Sequence, residues 1–246
     1  PVNVPVDRKN FHPDMDAIRS SITDRTRMIM VNSPCNPTGA VYTREEIEEI
    51  VSIAIEHDLW IISDEIYSRL IWNGGEHVSP ATIEGGKERT IVISGWSKTW
   101  AMTGMRVGFL AGPEQAVRAA VKCQANSASH IPTFMMEAAR VALDCDDHVE
   151  RFSDAYRHRR NLIVQGLEDI PGLRIVNPEG AFYLFIDVSG TGMSDVEFAD
   201  GALEAGVQLI PASLITGGEG FIRVSYAASE EDIKEGISRL RSWLLQ

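Results

Sequence analysis

Short apolar runs separated by amphipathic stretches dominate the first part of the chain. Residues 27–32, 59–64, 90–94 and 107–111 are such runs with little polar alternation, the pattern of strands covered on both faces. Between the first two, Thr43 and Glu46 have capping-box spacing, and Ile47, Ile50, Val51 and Ala54 continue at helical spacing to about His57. Strand, helix, strand and further non-alternating strands predict an α/β fold with a mostly parallel sheet flanked by helices. After Pro113 the pattern turns helical, over 113–124, 133–143 and 147–168, and Pro171-Gly172 stops the last of these. A strand over 181–187, a helix over 194–205, a strand over 220–226 and a final helix capped by Ser229 follow. Ile233, Ile237, Leu240 and Leu244 line one face of that last helix. This part predicts a small α+β C-terminal domain over 166–246, following a larger domain over 1–165. Residues 1–6 read as the interior of a strand rather than a natural beginning, so the 246 residues are expected to be part of a longer polypeptide.

Composition narrows the function classes. The chain holds 44% hydrophobic and 24% charged residues, ordinary globular values. Its 23 basic and 35 acidic side chains give a net charge of −12, which argues against nucleic acid or an anionic membrane surface as partner. Three scattered cysteines, Cys35, Cys123 and Cys145, fit neither a disulfide framework nor a zinc site and point to a reducing, cytoplasmic setting. No apolar stretch approaches the length of a membrane span.

Four features stand at or just after strand ends, where open α/β sheets bind ligands. Asn36-Pro37-Thr38-Gly39 follows the first strand; Asp64 ends the second, with Tyr67 three residues on; Ser97-Lys98 follows the third, between Trp96 and Trp100; Arg106 lies between Gly104 and Gly108. Each has a plain structural alternative: a turn, a helix cap at Asp64, a lysine stem lying on indoles, a surface ion pair. Together they supply an amine for an aldehyde, an anion for a pyridinium nitrogen, hydrogen-bond donors for a ring oxygen and a guanidinium for a phosphate, the needs of pyridoxal phosphate.

The order Asn-Pro-Thr-Gly, Asp-x-x-Tyr, Ser-Lys followed by Gly104-x-Arg106-x-Gly108, and a late run from Phe221 to Tyr226 resembles the class I/II aminotransferases of fold type I, along essentially the whole chain. The resemblance implies pyridoxal 5'-phosphate as cofactor, an amino acid and a 2-oxo acid as substrates, and a homodimer. It implies that Lys98 is the lysine joined to the cofactor aldehyde and the general base, and that Asp64 faces the pyridine nitrogen. Tyr67 and Asn36 then hold the ring oxygen, Ser97 and Arg106 the phosphate, and Arg223, with Asn36, the substrate α-carboxylate. A second enzyme reading within the same fold is a β-lyase; a non-enzymatic one is an effector-binding domain of a transcription regulator. One departure is Gly95, where members of the family often carry a serine three residues before the lysine; Ser94 is the nearest substitute. The family's N-terminal portion, with its phosphate-binding turn and ring-stacking aromatic residue, has no counterpart here. The 246 residues alone are therefore expected to be poorly soluble or oligomeric and to have little transaminase activity.

Overall fold

A computed structural model describes residues 1–245. Two compact units are present, one formed by residues 1–34 and 41–152, the other by residues 35–40 and those from 153 onward. The seam at 152/153 and the boundary expected at 165 both fall within one long helix, Asp146–Leu167.

In the first unit, β1 (Met28–Asn32), β2 (Trp60–Asp64), β3 (Thr90–Gly95) and β4 (Gly108–Ala111) form one sheet in that order. β1–β2 and β2–β3 are parallel, and β4 adds antiparallel to β3, which gives the mostly parallel sheet expected. The register aligns Asn32, Asp64 and Ile93, so the C-terminal ends of three strands lie side by side. Helix α1 (Met15–Ser21) was not expected: seven residues with a single buried apolar side chain, Ile18, carry too little periodicity to read. Its N-cap is Asp14, whose carboxylate accepts from the Ala17 N–H at 3.0 Å. Residues 1–6 do not form the strand expected of them; Val6 makes a single bridge to Pro13.

Helix α2 (Arg44–Glu56) starts at the capping box: Thr43 Oγ1 accepts from the Glu46 N–H, and Glu46 accepts from the Thr43 N–H at 2.7 Å. Its buried face, Ile47, Ile50, Val51, Ile53 and Ala54, packs with Val31, Leu59 and Ile61 into the core of this unit. The sheet also presents Met28, Met30, Ile93, Phe109 and Leu110 as exposed apolar side chains. Helices α3 (Glu114–Ser127) and α4 (Thr133–Ala142) follow, and α5 is the long helix Asp146–Leu167. Among the described residues no helix is long and apolar enough to cross a membrane.

The second unit carries an antiparallel sheet in the order β5 (Arg174–Ile175), β6 (Tyr183–Asp187), β8 (Phe221–Ser225), β7 (Ile210–Pro211). The two-residue strands are below the length at which alternation is readable. Every residue of β6 is buried, which is why it reads as an unbroken apolar run. Helix α6 (Asp195–Glu204) has its own capping box, Ser194 with Glu197, and α7 (Glu230–Leu244) buries Ile233 and Leu240. Phe198 of α6 meets Trp243 of α7 edge-on at 5.1 Å. Asp187, at the end of β6, accepts from the Ser189 hydroxyl at 2.6 Å and its N–H at 3.1 Å, and from Arg174 at 3.1 Å. Burial raises its carboxyl, but these donors outweigh burial and hold it below the usual range.

Two stability predictions follow from these contacts, both for the intact protein. Thr43→Ala removes one cap acceptor and is expected to cost about 1 kcal/mol; Ile53→Ala, in the packed core, is expected to cost roughly 2–5 kcal/mol. Urea unfolding that ranks them the other way would show that the cap, not the apolar face, holds α2. For Asp187 the depressed carboxyl stabilises the fold fully above its unfolded value of about 3.9 and loses that contribution as pH falls through the lower folded value. Asp187→Asn is therefore expected to lower the melting temperature at neutral pH, with the gap to the parent closing below about pH 4.

Candidate active site

In the first unit the candidate residues gather at the C-terminal end of the parallel strands. Asp64 closes β2 and is half-buried. The Asn32 side-chain amide donates to its carbonyl at 3.1 Å. Its Oδ1 accepts the Ile66 N–H at 3.2 Å. That bond caps a tight turn over 65–69, not the helix that the capping alternative requires. Burial chiefly pushes the Asp64 carboxyl up; the Ile66 N–H opposes this, and the neighbouring Glu65 charge adds to it. No cationic side chain is among the influences on it.

Tyr67 comes off the same turn with its ring buried, and the Lys98 Nζ stands 6.0 Å from the centre of that ring. Lys98 is half-buried in the turn after β3, with Ser97 beside it. The flanking Trp96 and Trp100 rings lie 5.8 Å apart, and both indole N–H groups are buried without a hydrogen-bond partner among the described residues. Arg106 has left-handed backbone (φ 54) and an exposed side chain, with one guanidinium nitrogen donating to the Thr103 carbonyl at 2.9 Å. The structure also explains Gly95. It pairs with Gly108, and a Cβ at 95 would stand 2.7 Å from the Val107 carbonyl oxygen and 2.8 Å from Gly108 Cα. β3 and β4 approach too closely here for a serine. The Ser94 hydroxyl donates to the Glu65 carbonyl at 3.3 Å, so its proton is engaged within the sheet.

In the second unit Asn36 and Arg223, 187 positions apart, meet directly: an Arg223 Nη donates to Asn36 Oδ1 at 3.0 Å. Gly39 makes this possible. Its φ is +75, its carbonyl accepts from the N–H groups of Glu179 and Gly180 at 2.9 and 2.8 Å, and a Cβ on it would press on Pro178 at 2.5 Å. The Asn-Pro-Thr-Gly turn is thereby fastened to the segment that leads into β6. The Arg223 guanidinium carbon lies 4.9 Å from the centre of the Tyr183 ring. An arginine held by an amide oxygen and an aromatic face is oriented to offer its remaining N–H groups to a carboxylate as a fork. Sequence reasoning missed Tyr183, whose diagonal position across the strand pair is set only by the β6–β8 register. It also missed the buried partners of Glu65, namely Ser63, His77 and Ser79.

Within the first unit the donor set fits pyridoxal phosphate. Among the described residues the half-buried Asp64 carboxylate has no cationic group acting on it, as a partner for a protonated ring nitrogen should. An amine stands beyond a phenol ring, and an exposed guanidinium follows on the same loop.

Comparison with known proteins agrees with this chemistry. The family model for aminotransferase class I and II matches residues 1–240. The chain is 41% identical to an aromatic-amino-acid aminotransferase of Thermococcus litoralis and 40% identical to an aspartate aminotransferase of Pyrococcus abyssi; each match covers 99% of this chain and 64% of the relative. Among solved structures, an aromatic aminotransferase from Pyrococcus horikoshii superposes with a TM-score of 0.96 at 40% identity, over 100% of this chain and 67% of that one. A Thermus thermophilus aspartate aminotransferase variant gives 0.92 at 38% identity, over 99% and 64%. The chain thus spans somewhat less than two-thirds of the length of the first two relatives, and within that span it belongs to the class I and II aminotransferases.

Proposed function

We propose that this chain is the larger part of a pyridoxal 5'-phosphate-dependent aminotransferase that moves an amino group between an α-amino acid and a 2-oxo acid, of the aspartate/aromatic type. The observation that carries the reading is Asp64: a carboxylate raised by burial, at the shared C-terminal edge of three strands, with no cationic partner of its own. The relatives' names, aspartate and aromatic-amino-acid aminotransferases, support the choice of substrate class over the β-lyase and regulator readings. We assign residues 1–165 to the cofactor-binding large domain and 166–246 to the small C-terminal domain, and infer a cytoplasmic homodimer.

Bound pyridoxal phosphate supplies an electron-withdrawing ring that acidifies the substrate α-carbon. The protein's residues do the rest. Lys98 would hold the cofactor through its amine and would serve as the general base for the substrate α-carbon proton. Asp64 would hold the proton of the ring nitrogen, and the Tyr67 hydroxyl would donate a hydrogen bond to the ring oxygen. Ser97 and Arg106 bind the phosphate. Arg223, oriented by Asn36 and Tyr183, would take the α-carboxylate of the amino acid. The same machinery run on a 2-oxo acid returns the amino group.

Borohydride reduction of the intact, cofactor-loaded protein is expected to label one peptide, the one bearing Lys98. Mass spectrometry that finds the label on Lys87 or Lys122 would overturn the assignment. Arg223→Ala is expected to leave the cofactor spectrum in place while kcat/KM for amino acids falls by the equivalent of about 2–5 kcal/mol. Unchanged steady-state kinetics would return Arg223 to an ordinary strand residue.

A further inference from the structure

Glu65 follows Asp64 and is 8% exposed, a burial that carboxylates tolerate only with full partnering. Its Oε1 accepts from the Ser63 hydroxyl at 3.0 Å and the Ser79 hydroxyl at 2.6 Å. Its Oε2 stands 3.0 Å from His77 Nε2, at ion-pair distance but off the line of a hydrogen bond. The main chain is fixed as well: the Glu65 N–H donates to the Ile93 carbonyl at 2.8 Å, and the Glu65 carbonyl accepts from the Ser94 hydroxyl. Burial raises the Glu65 carboxyl, but His77, Ser79 and Ser63 outweigh it and leave it below the usual range. Glu65 is therefore a fixed, buried anion.

A buried ion of this kind adds little to stability compared with an apolar side chain of similar volume, so its use lies elsewhere. We propose that Glu65 is the positioning residue of the candidate site: tied to Ser63, Ser79, His77 and β3, it locks the end of β2 so that the adjoining Asp64 carboxylate is presented in one orientation. This rests on reading Asp64 as the acid that faces the cofactor nitrogen. Orientation follows from the covalent neighbour. With the Glu65 N–H, carbonyl and side chain all engaged, the turn that supplies the Ile66 N–H to Asp64 Oδ1 is held, and Oδ2 has no protein partner among the described residues. Charge acts in the same direction. A fixed anion beside Asp64 makes that carboxylate a stronger proton acceptor, and so a better partner for a protonated ring nitrogen.

The test uses the intact protein labelled with ¹³C at the aspartate Cγ, without cofactor, with the Asp64 resonance assigned by its loss in Asp64→Asn. Glu65→Gln keeps an acceptor for the two serines but removes the charge. It is expected to leave one sharp Asp64 resonance whose titration midpoint moves down. Glu65→Leu removes the anchor and is expected to broaden or split that resonance and to weaken pyridoxal phosphate binding at least about tenfold, a step of about 1.4 kcal/mol or more. A midpoint unchanged in Glu65→Gln overturns the proposal, and this variant decides alone if Glu65→Leu does not fold. A resonance that responds as expected, alongside an Asp64→Asn protein whose bound cofactor keeps its normal spectrum, would leave the positioning role standing and remove the reading of Asp64 as the cofactor's acid.

Discussion

A carboxylate at the inner end of a buried strand costs several kcal/mol unless something meets it, and the first unit is arranged around two of them in succession. Parallel β1, β2 and β3 bring Asn32, Asp64 and Ile93 level, so backbone donors and acceptors at that edge are available to whatever follows each strand. Glu65 takes two serine hydroxyls as donors and has the His77 imidazole at ion-pair distance. Asp64 takes one, the Ile66 N–H. The asymmetry separates their charges' consequences. Glu65 is settled below its ordinary range, Asp64 is held above it. One anion is met by several groups of the fold and the other by a single N–H among the described residues.

How far this was legible in the residues depends on the range of the interaction. Elements whose apolar faces are long enough to show a period, α2 with Ile47, Ile50 and Val51 or α7 with Ile233 and Leu240, could be read directly, as could capping boxes, which are local. The seven-residue α1 and the two-residue β5 and β7 could not, because they are too short to show a period. The antiparallel sense of β4 is also a tertiary matter. Its apolar run fits either direction, and the close Gly95–Gly108 pairing that accompanies it is visible only once the strands are aligned.

The candidate site divides the same way. Asp64, Lys98 and Arg106 stand out because charged residues directly after apolar strands are conspicuous, and the family pattern gave them roles. Glu65 does not stand out in the sequence, because it directly follows Asp64 and carries no motif of its own. Its partners lie 12 and 14 positions on, at His77 and Ser79, in a stretch with no periodicity to draw notice. Tyr183 was hidden for a similar reason. An aromatic residue in a fully apolar strand reads as core, and it is largely that; only the register of β6 against β8 turns its face to Arg223.

Glycine does the corresponding work for close approach. Gly39 lets the Asn-Pro-Thr-Gly turn lie against Pro178 and Gly180, and this fastening brings Asn36 to Arg223. Gly95 lets β3 and β4 meet ahead of Lys98, where the family resemblance leads one to expect a serine. On the proposed assignment, the departure touches only the phosphate end of the donor set, which Ser97 and Arg106 would supply. Asp64 is held through the Ile66 N–H and the turn anchored by Glu65, atoms that the glycine does not touch. A substitution at the phosphate end would then act on how firmly the cofactor is held, and one at Glu65 on the acid that faces its ring.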